Sequence, residues 1–181
     1  MPHAGRPAWR IQLRRFDSIL NMQFLKKEYQ IMKPRIPKAL MHGHENLCAE
    51  IEEIIASGGK TGEKAKFIQE SMKAHFKKEE AYALPPLGFL LALSEGNWEI
   101  DSDAAIKMSE MLLSKLSELQ EEHENISTAL LDLKITADEE NNQAAIQFIK
   151  NLTLHVEVED QVLYPATILI GNYLKHSNPN D

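Results

Sequence analysis

Residues 155–165 read HVEVEDQVLYP, a segment that sets a histidine, two glutamates and an aspartate among residues apolar enough for a core. A second segment, HFKKEEAYALPPL at residues 75–87, follows the same plan. Both begin with His-x-x-x-Glu and a further acidic residue, and both reach a proline ten residues after the histidine. The two segments predict an internal repeat in which the polar residues at equivalent positions have the same role.

A second pair of segments accompanies these two, with one segment upstream of each. HENLCAEIEEI begins at His44 and HENISTALLDL begins at His123, with an identical first tripeptide and apolar residues at matching places. His75 follows His44 by 31 residues, and His155 follows His123 by 32 residues. The chain is therefore interpreted as a duplicated helix pair with approximate two-fold symmetry.

Helix signals divide the chain beyond Pro37 into four long helices. Ser57-Gly58-Gly59 should end the first helix, and Pro85-Pro86 should end the second. Asp101 or Ser102 is a good N-cap for the third, and Thr136-Ala-Asp-Glu139 is a capping box that should open the fourth. The predicted helices span roughly 38–56, 61–83, 101–133 and 136–163. Short links and the absence of alternating β-type patterns predict an all-α, antiparallel up-down four-helix bundle.

Charge separates an amino-terminal arm from this bundle. Residues 1–38 hold nine Lys and Arg against two acidic residues, a formal charge of +7. Because the whole chain has a formal charge of −7, the remaining residues carry −14. Within the arm, apolar residues recur at helical spacing at Trp9, Leu13, Phe16, Leu20 and Phe24. We expect a basic arm with an amphipathic helix at 1–37, the bundle at 38–175 and a disordered tail at 176–181. Packing of the arm on the acidic body is the favoured interpretation. The alternatives are an interfacial membrane helix and contact with an anionic surface or with nucleic acid, of which nucleic acid is not expected.

Composition limits the classes of protein that fit. At 181 residues and 43% apolar, the chain can bury one core. Its only cysteine, Cys48, excludes an intrachain disulfide framework or a cysteine-ligated zinc site. The start lacks a secretory signal pattern, and no run approaches the roughly 18 apolar residues of a membrane span. We therefore expect a soluble, cytoplasmic protein.

Helical geometry points to metal chemistry. Residues four apart lie on nearly the same face, so His75 with Glu79, and His155 with Glu159, each present a nitrogen and a carboxylate inward. His44 and His123 would complete four imidazoles and two carboxylates. Carboxylates can bridge two cations, and mixed ligation of this kind suits iron or manganese. The chain has neither the Glu-x-x-His motifs of ferritin-like bundles nor the His-Glu-x-x-His motif of zincin proteases.

The four-part combination resembles the hemerythrin-like HHE cation-binding domains over about residues 38–170. The resemblance implies two iron ions joined by an oxo or hydroxo bridge, with manganese or zinc as substitutes. By position, it implies terminal ligation by His44, His75, His123 and His155 and bridging by Glu79 and Glu159. The chain departs from the oxygen-carrying members, which have a fifth histidine where Ser127 stands and a bridging acid where Asp160 stands. Its ligand set looks more like the bacterial branch linked to nitrosative stress, iron-sulfur repair and redox sensing.

Several residues near this set have alternative roles. His42 lies about 200° around the helix from His44 and is expected at the surface or behind the ligands. Glu80 and Asp160 either hold ligands from behind or face solvent, and Asp160 is an alternative to Glu159 as a ligand. Tyr164 is expected to serve packing, and Glu157 should point away from the metals. The apolar tails LGFLLAL and TILIGNYL either close the bundle or, with the arm helix, join two chains as a homodimer.

The leading functional hypothesis is a non-heme di-iron protein that reversibly binds or senses dioxygen or nitric oxide. One alternative is an enzyme that reduces nitric oxide or peroxide or takes part in iron-sulfur repair. Another is a metal-dependent redox regulatory or interaction protein. We favour a metal-binding and oxygen-binding role over catalysis.

Overall fold

The computed structural model describes residues 31–177, and every regular element among them is helical. Two π-helical segments, Glu79–Ala83 and Glu159–Leu163, follow the second and fifth α-helices, and a 3-10 helix spans Pro85–Phe89. The α-helices are α1 (Lys38–Ser57), α2 (Gly59–Lys78), α3 (Leu90–Ser94), α4 (Ser102–Glu139), α5 (Gln143–Val158) and α6 (Tyr164–His176). The all-α prediction is confirmed for this part of the chain. The predicted arm helix and the last four residues of the predicted tail lie outside the described residues.

The first three predicted boundaries agree with the structure to within a few residues. Gly58, with φ of 75°, ends α1, but α2 begins at Gly59, two residues before the predicted start at Thr61. The Asp101 side chain accepts a hydrogen bond from the backbone N–H of Ala104 at 3.1 Å and caps α4. Capping of this kind satisfies one of the unpaired N–H groups at a helix start.

The predicted capping box at Thr136–Glu139 is wrong. These residues form the last turn of α4, where the Thr136 hydroxyl donates to the Leu133 carbonyl at 3.0 Å instead of capping a new helix. The turn lies later, because Asn141 adopts φ of 54°, a left-handed conformation that asparagine tolerates. Asn142 then caps α5 by accepting from the N–H of Ala145 at 3.0 Å.

The four long helices pack around a common core. Among the described elements, α1 contacts α2 and α5, and α4 contacts α2, α5 and α6. Fully buried residues such as Ile51, Ile68, Leu133 and Phe148 form this core. Burying each such side chain contributes about 1.5–3 kcal/mol before the entropy of ordering is counted. No helix within residues 31–177 has the length and apolar character to cross a membrane.

Residues of the two apolar tails that follow the prolines pack against each other. Leu87, Phe89 and Ala92 of the first tail share a buried cluster with Ile170 and Leu174 of the second. Their burial against each other supports the end-closing interpretation. The homodimer remains a prediction.

One close helix contact gives a test of this packing. A Cβ atom on Gly171 of α6 would lie 2.4 Å from the Cβ atom of Ser109 on α4, closer than real contacts allow. Ser109 cannot easily move, because its hydroxyl donates to the carbonyls of Ala105 and Thr167, both at 2.9 Å. We therefore expect Gly171→Ala to lower the free energy of unfolding by about 1–3 kcal/mol, measured by urea denaturation.

Gly43→Ala is the matched control, since Gly43 is also helical but a Cβ there meets nothing within 4 Å. It should stabilise the protein by up to about 1 kcal/mol, because alanine favours the helix. Equal effects at the two glycines would contradict the close packing of α4 on α6.

Candidate metal centre

The predicted ligands continue the buried stripes of the four long helices. In α1, His44 precedes Leu47, Ile51 and Ile54 at spacings of three and four residues, and all four are buried. In α4, His123 precedes Ile126, Leu130 and Leu133 at the same spacings. His75 and His155 lie near the ends of α2 and α5, beyond comparable stripes. Because residues at these spacings lie on one helix face, the fold directs all four imidazoles inward.

Each predicted glutamate begins a π segment. Glu79 and Glu159 are both 0% exposed, and the carbonyl of each accepts a hydrogen bond from the backbone N–H five residues later. Single π turns inside α-helices occur frequently at functional sites. Here the two π segments begin at Glu79 and Glu159, one turn after His75 and His155 respectively.

The six predicted residues lie together as two groups that share both carboxylates. One group consists of His44, His155, Glu79 and Glu159, and the other of His75, His123, Glu79 and Glu159. Each residue offers a ligand atom within 4.8 Å of the other ligand atoms in its group. The His155 Nε2 atom lies 2.8 Å from Glu159 Oε1, and the Nε2 atoms of His75 and His123 are 2.7 Å apart.

The donor atoms fit a metal because the protein leaves several of them without hydrogen bonds. These buried, unpartnered atoms include Nε2 of His44 and His155, Oε2 of Glu79 and both carboxylate oxygens of Glu159. A buried polar atom without a partner is costly, at about 1–3 kcal/mol each. Their convergence on one place is the arrangement that a pair of cations would satisfy.

Three carboxylates lie behind three of the predicted histidine ligands, two of them within a hydrogen bond of the ring. The Nδ1 atom of His44 donates to Glu80 at 2.9 Å, and the Nδ1 atom of His123 lies 3.1 Å from Asp160. Hydrogen bonds of this kind fix a histidine ring and leave its other nitrogen free for a metal. Glu80 and Asp160 therefore lie behind predicted ligands, one of the two roles that the sequence left open. Asp160 is not a member of either donor group.

The third of these carboxylates, Glu122, was missed by the sequence reasoning. Its Oε2 atom accepts from Nδ1 of His75 at 2.9 Å, and its other oxygen pairs with Lys78. The sequence did contain a feature that could have identified Glu122, since it is the acidic residue directly before the second His-Glu-Asn tripeptide. Its partner lies on another helix, however, so the pattern alone could not connect them.

The buried groups of the centre shift one another's pKa values. Burial alone would lower the pKa of His44, but the neighbouring carboxylates, Glu159 first among them, raise it to about 10. Burial alone would raise the pKa of Glu159, but three neighbouring histidines, His123 first among them, hold it well below its usual range. A cation that binds here would take the place of protons on the imidazoles, because only a deprotonated nitrogen can act as a ligand.

Tyr164 belongs to the centre and not only to the packing. It is 1% exposed, its hydroxyl donates to Glu79 Oε1 at 2.6 Å, and its ring stacks on His123 with centroids 5.7 Å apart. Burial, followed by the nearby carboxylates, raises the pKa of Tyr164, so the phenol stays protonated and remains a donor. On the other side, Phe76 stacks on His44 at 3.8 Å between centroids.

His42 and Glu157 lie away from the two donor groups. Both side chains are exposed, and neither residue belongs to either group. This placement agrees with the outward directions predicted from the helical period.

Of the comparisons with known proteins, only the one with protein-family models gave a match. Neither the curated proteins nor the solved structures matched. The family model described as the hemerythrin HHE cation binding domain matches residues 35–167, well over half of the chain. The protein therefore belongs to the hemerythrin HHE cation-binding domain family.

Proposed function

We propose that this protein is a non-heme di-iron protein that binds or senses dioxygen or nitric oxide. The observation that carries the proposal is the sharing of Glu79 and Glu159 by two donor groups of identical composition. Two carboxylates common to two sites are the ligands expected to bridge a pair of metals about 3.5–4 Å apart. Imidazole and carboxylate together suit iron.

The proposed architecture is an antiparallel four-helix bundle built from a duplicated helix pair over residues 38–175. The equivalent positions of the histidines, glutamates, π segments and prolines in the two halves support it. In this arrangement α1 and α4 each contribute one histidine, whereas α2 and α5 each contribute a histidine with the glutamate that follows. The fold thus supplies four donors to each proposed metal and leaves further coordination positions for a small ligand.

The protein's own residues would hold and shield the ions. His44 and His155 would hold one ion, His75 and His123 the other, and the two glutamates would join them. A ferrous pair, when bound, supplies the electrons for reversible binding of a diatomic gas. Three of the four histidines are only 2–3% exposed, so the fold excludes bulk water from most of the centre. The Tyr164 hydroxyl donates to Glu79 and so fixes the orientation of that carboxylate.

The test is metal content combined with gas binding. After anaerobic reconstitution with ferrous iron, we expect about two iron ions per chain, one for each donor group. Exposure to dioxygen or nitric oxide should then produce saturable visible absorption bands. His44→Gln should lose metal, whereas His42→Gln, a matched change at the exposed histidine two residues away, should not.

Continued gas consumption in the presence of an electron donor would favour the enzymatic alternative over binding or sensing. Fewer than about one metal ion per chain after reconstitution would overturn the di-iron proposal, because each donor group should hold one ion.

A further inference from the structure

The two donor groups differ in the residues behind their histidines. Glu80 and Asp160 occupy equivalent places, one residue after each predicted bridging glutamate, and each contacts the histidine of the preceding long helix in its own half. Glu122 also contacts a histidine, His75, but it does so from α4, the residue before His123. The equivalent residue before His44 is Gly43, which has no side chain to offer.

His155 is the histidine that this glycine leaves without support. Within residues 31–177, no carboxylate lies within hydrogen-bonding distance of its Nδ1 atom; its only acidic partner is Glu159, on the Nε2 side. His155 is also 18% exposed, compared with 2–3% for the other three histidines. Its ring is therefore the least constrained of the four.

We propose that the two metal positions have unequal affinities, and that the position at His44 and His155 is the weaker and more readily exchanged one. This inference rests on the proposed di-metal function. Losing one carboxylate behind a metal-bound histidine typically lowers metal affinity by about 10–100-fold. The other position has a carboxylate beside each histidine: Glu122 accepts a hydrogen bond from Nδ1 of His75, and Asp160 lies 3.1 Å from Nδ1 of His123, on which Tyr164 also stacks. The exchangeable ion is thus the one beside the exposed histidine.

Gly43 also provides a way to restore the missing contact. A Cβ at this position meets nothing within 4 Å, so a longer side chain has room to begin. The approximate symmetry would place the carboxylate of Gly43→Glu behind His155, as Glu122 lies behind His75 at 2.9 Å. Gly43→Gln is the matched control, because it has nearly the same size and helical preference but no charge.

The experiment is an anaerobic titration of the metal-free protein with Co²⁺, followed by its visible absorption. In the natural sequence we expect two binding steps whose affinities differ by about 10–100-fold. Gly43→Glu should strengthen the weaker step and bring the two together, while Gly43→Gln should change them much less. Glu122→Gln should weaken the tighter step, and His155→Gln should remove the weaker step alone.

Two outcomes would overturn the inference while leaving the proposed function intact. One is two steps of equal affinity in the natural sequence, and the other is a separation that Gly43→Glu and Glu122→Gln leave unchanged. The second outcome would mean that repulsion between the two cations, and not the support behind His155, separates the steps. A protein that binds no Co²⁺ and no iron would overturn both this inference and the di-metal function.

Discussion

Replacing Glu159 by glutamine is expected to remove both metal ions. Glu159 is a member of both donor groups, it is fully buried, and its two oxygens lie within 3.5 Å of Nε2 of His44, His123 or His155. Glutamine keeps the size but removes the charge, and its NH₂ group cannot serve as a ligand. Metal content after reconstitution, measured by elemental analysis, should fall from about two ions per chain to near zero.

Glu157→Gln is the matched control for this change. It alters the charge of the chain equally, two residues away on the same helical run, but the Glu157 side chain is exposed. Its metal content should equal that of the natural protein. Retention of both ions by Glu159→Gln would show that Glu159 does not bridge them, and would return Asp160 to consideration as the bridging acid.

Removing the metals from the natural protein should loosen the fold. Ligand atoms that the metal satisfies become buried and unpartnered without it, so the folded state loses the binding energy. An ion at about 1,000 times its dissociation constant stabilises the folded state by about 4 kcal/mol. For a chain of this length, that corresponds to about 8–16 °C in unfolding midpoint. Thermal unfolding followed by circular dichroism, with and without a chelator, measures this difference.

The Glu159→Gln variant serves again as the comparison. Because it should already lack metal, chelator should leave its unfolding midpoint unchanged. Equal midpoints for the natural protein with and without bound metal would argue against a centre that contributes to folding.

The repeat in the sequence was sufficient to predict the residues that the fold brings together. Histidine and glutamate four residues apart share a face in any α-helix, so local geometry alone aligned His75 with Glu79 and His155 with Glu159. The helix boundary at residue 136 failed for a different reason. Thr136-Ala-Asp-Glu139 has the residues of a capping box, but a threonine hydroxyl can instead bond to a carbonyl within a continuing helix.

The contacts behind the histidines were harder to predict, since they depend on which helices are neighbours. Glu122 and His75 are 47 residues apart in the chain, and Tyr164 and Glu79 are 85 residues apart. An acidic residue on a charged helix or a tyrosine in an apolar stretch has no local feature that identifies such a partner. These pairs can be recognised only when the packing of α4 against α2, against the first π segment and against α6 is known.

The π segment at Glu159–Leu163 changes the phase of the helix that follows it. A residue advances by about 100° around an α-helix, so one additional residue within a turn rotates everything beyond it by that amount. Tyr164 is the first residue of α6 after this rotation, and its hydroxyl donates to the carboxylate of Glu79 from the other half of the proposed duplication. In an unbroken α-helix the same tyrosine would face a different neighbour. The hydrogen bond between Tyr164 and Glu79 therefore depends on the rotation that the π segment introduces into the helix as much as on the identity of the side chain.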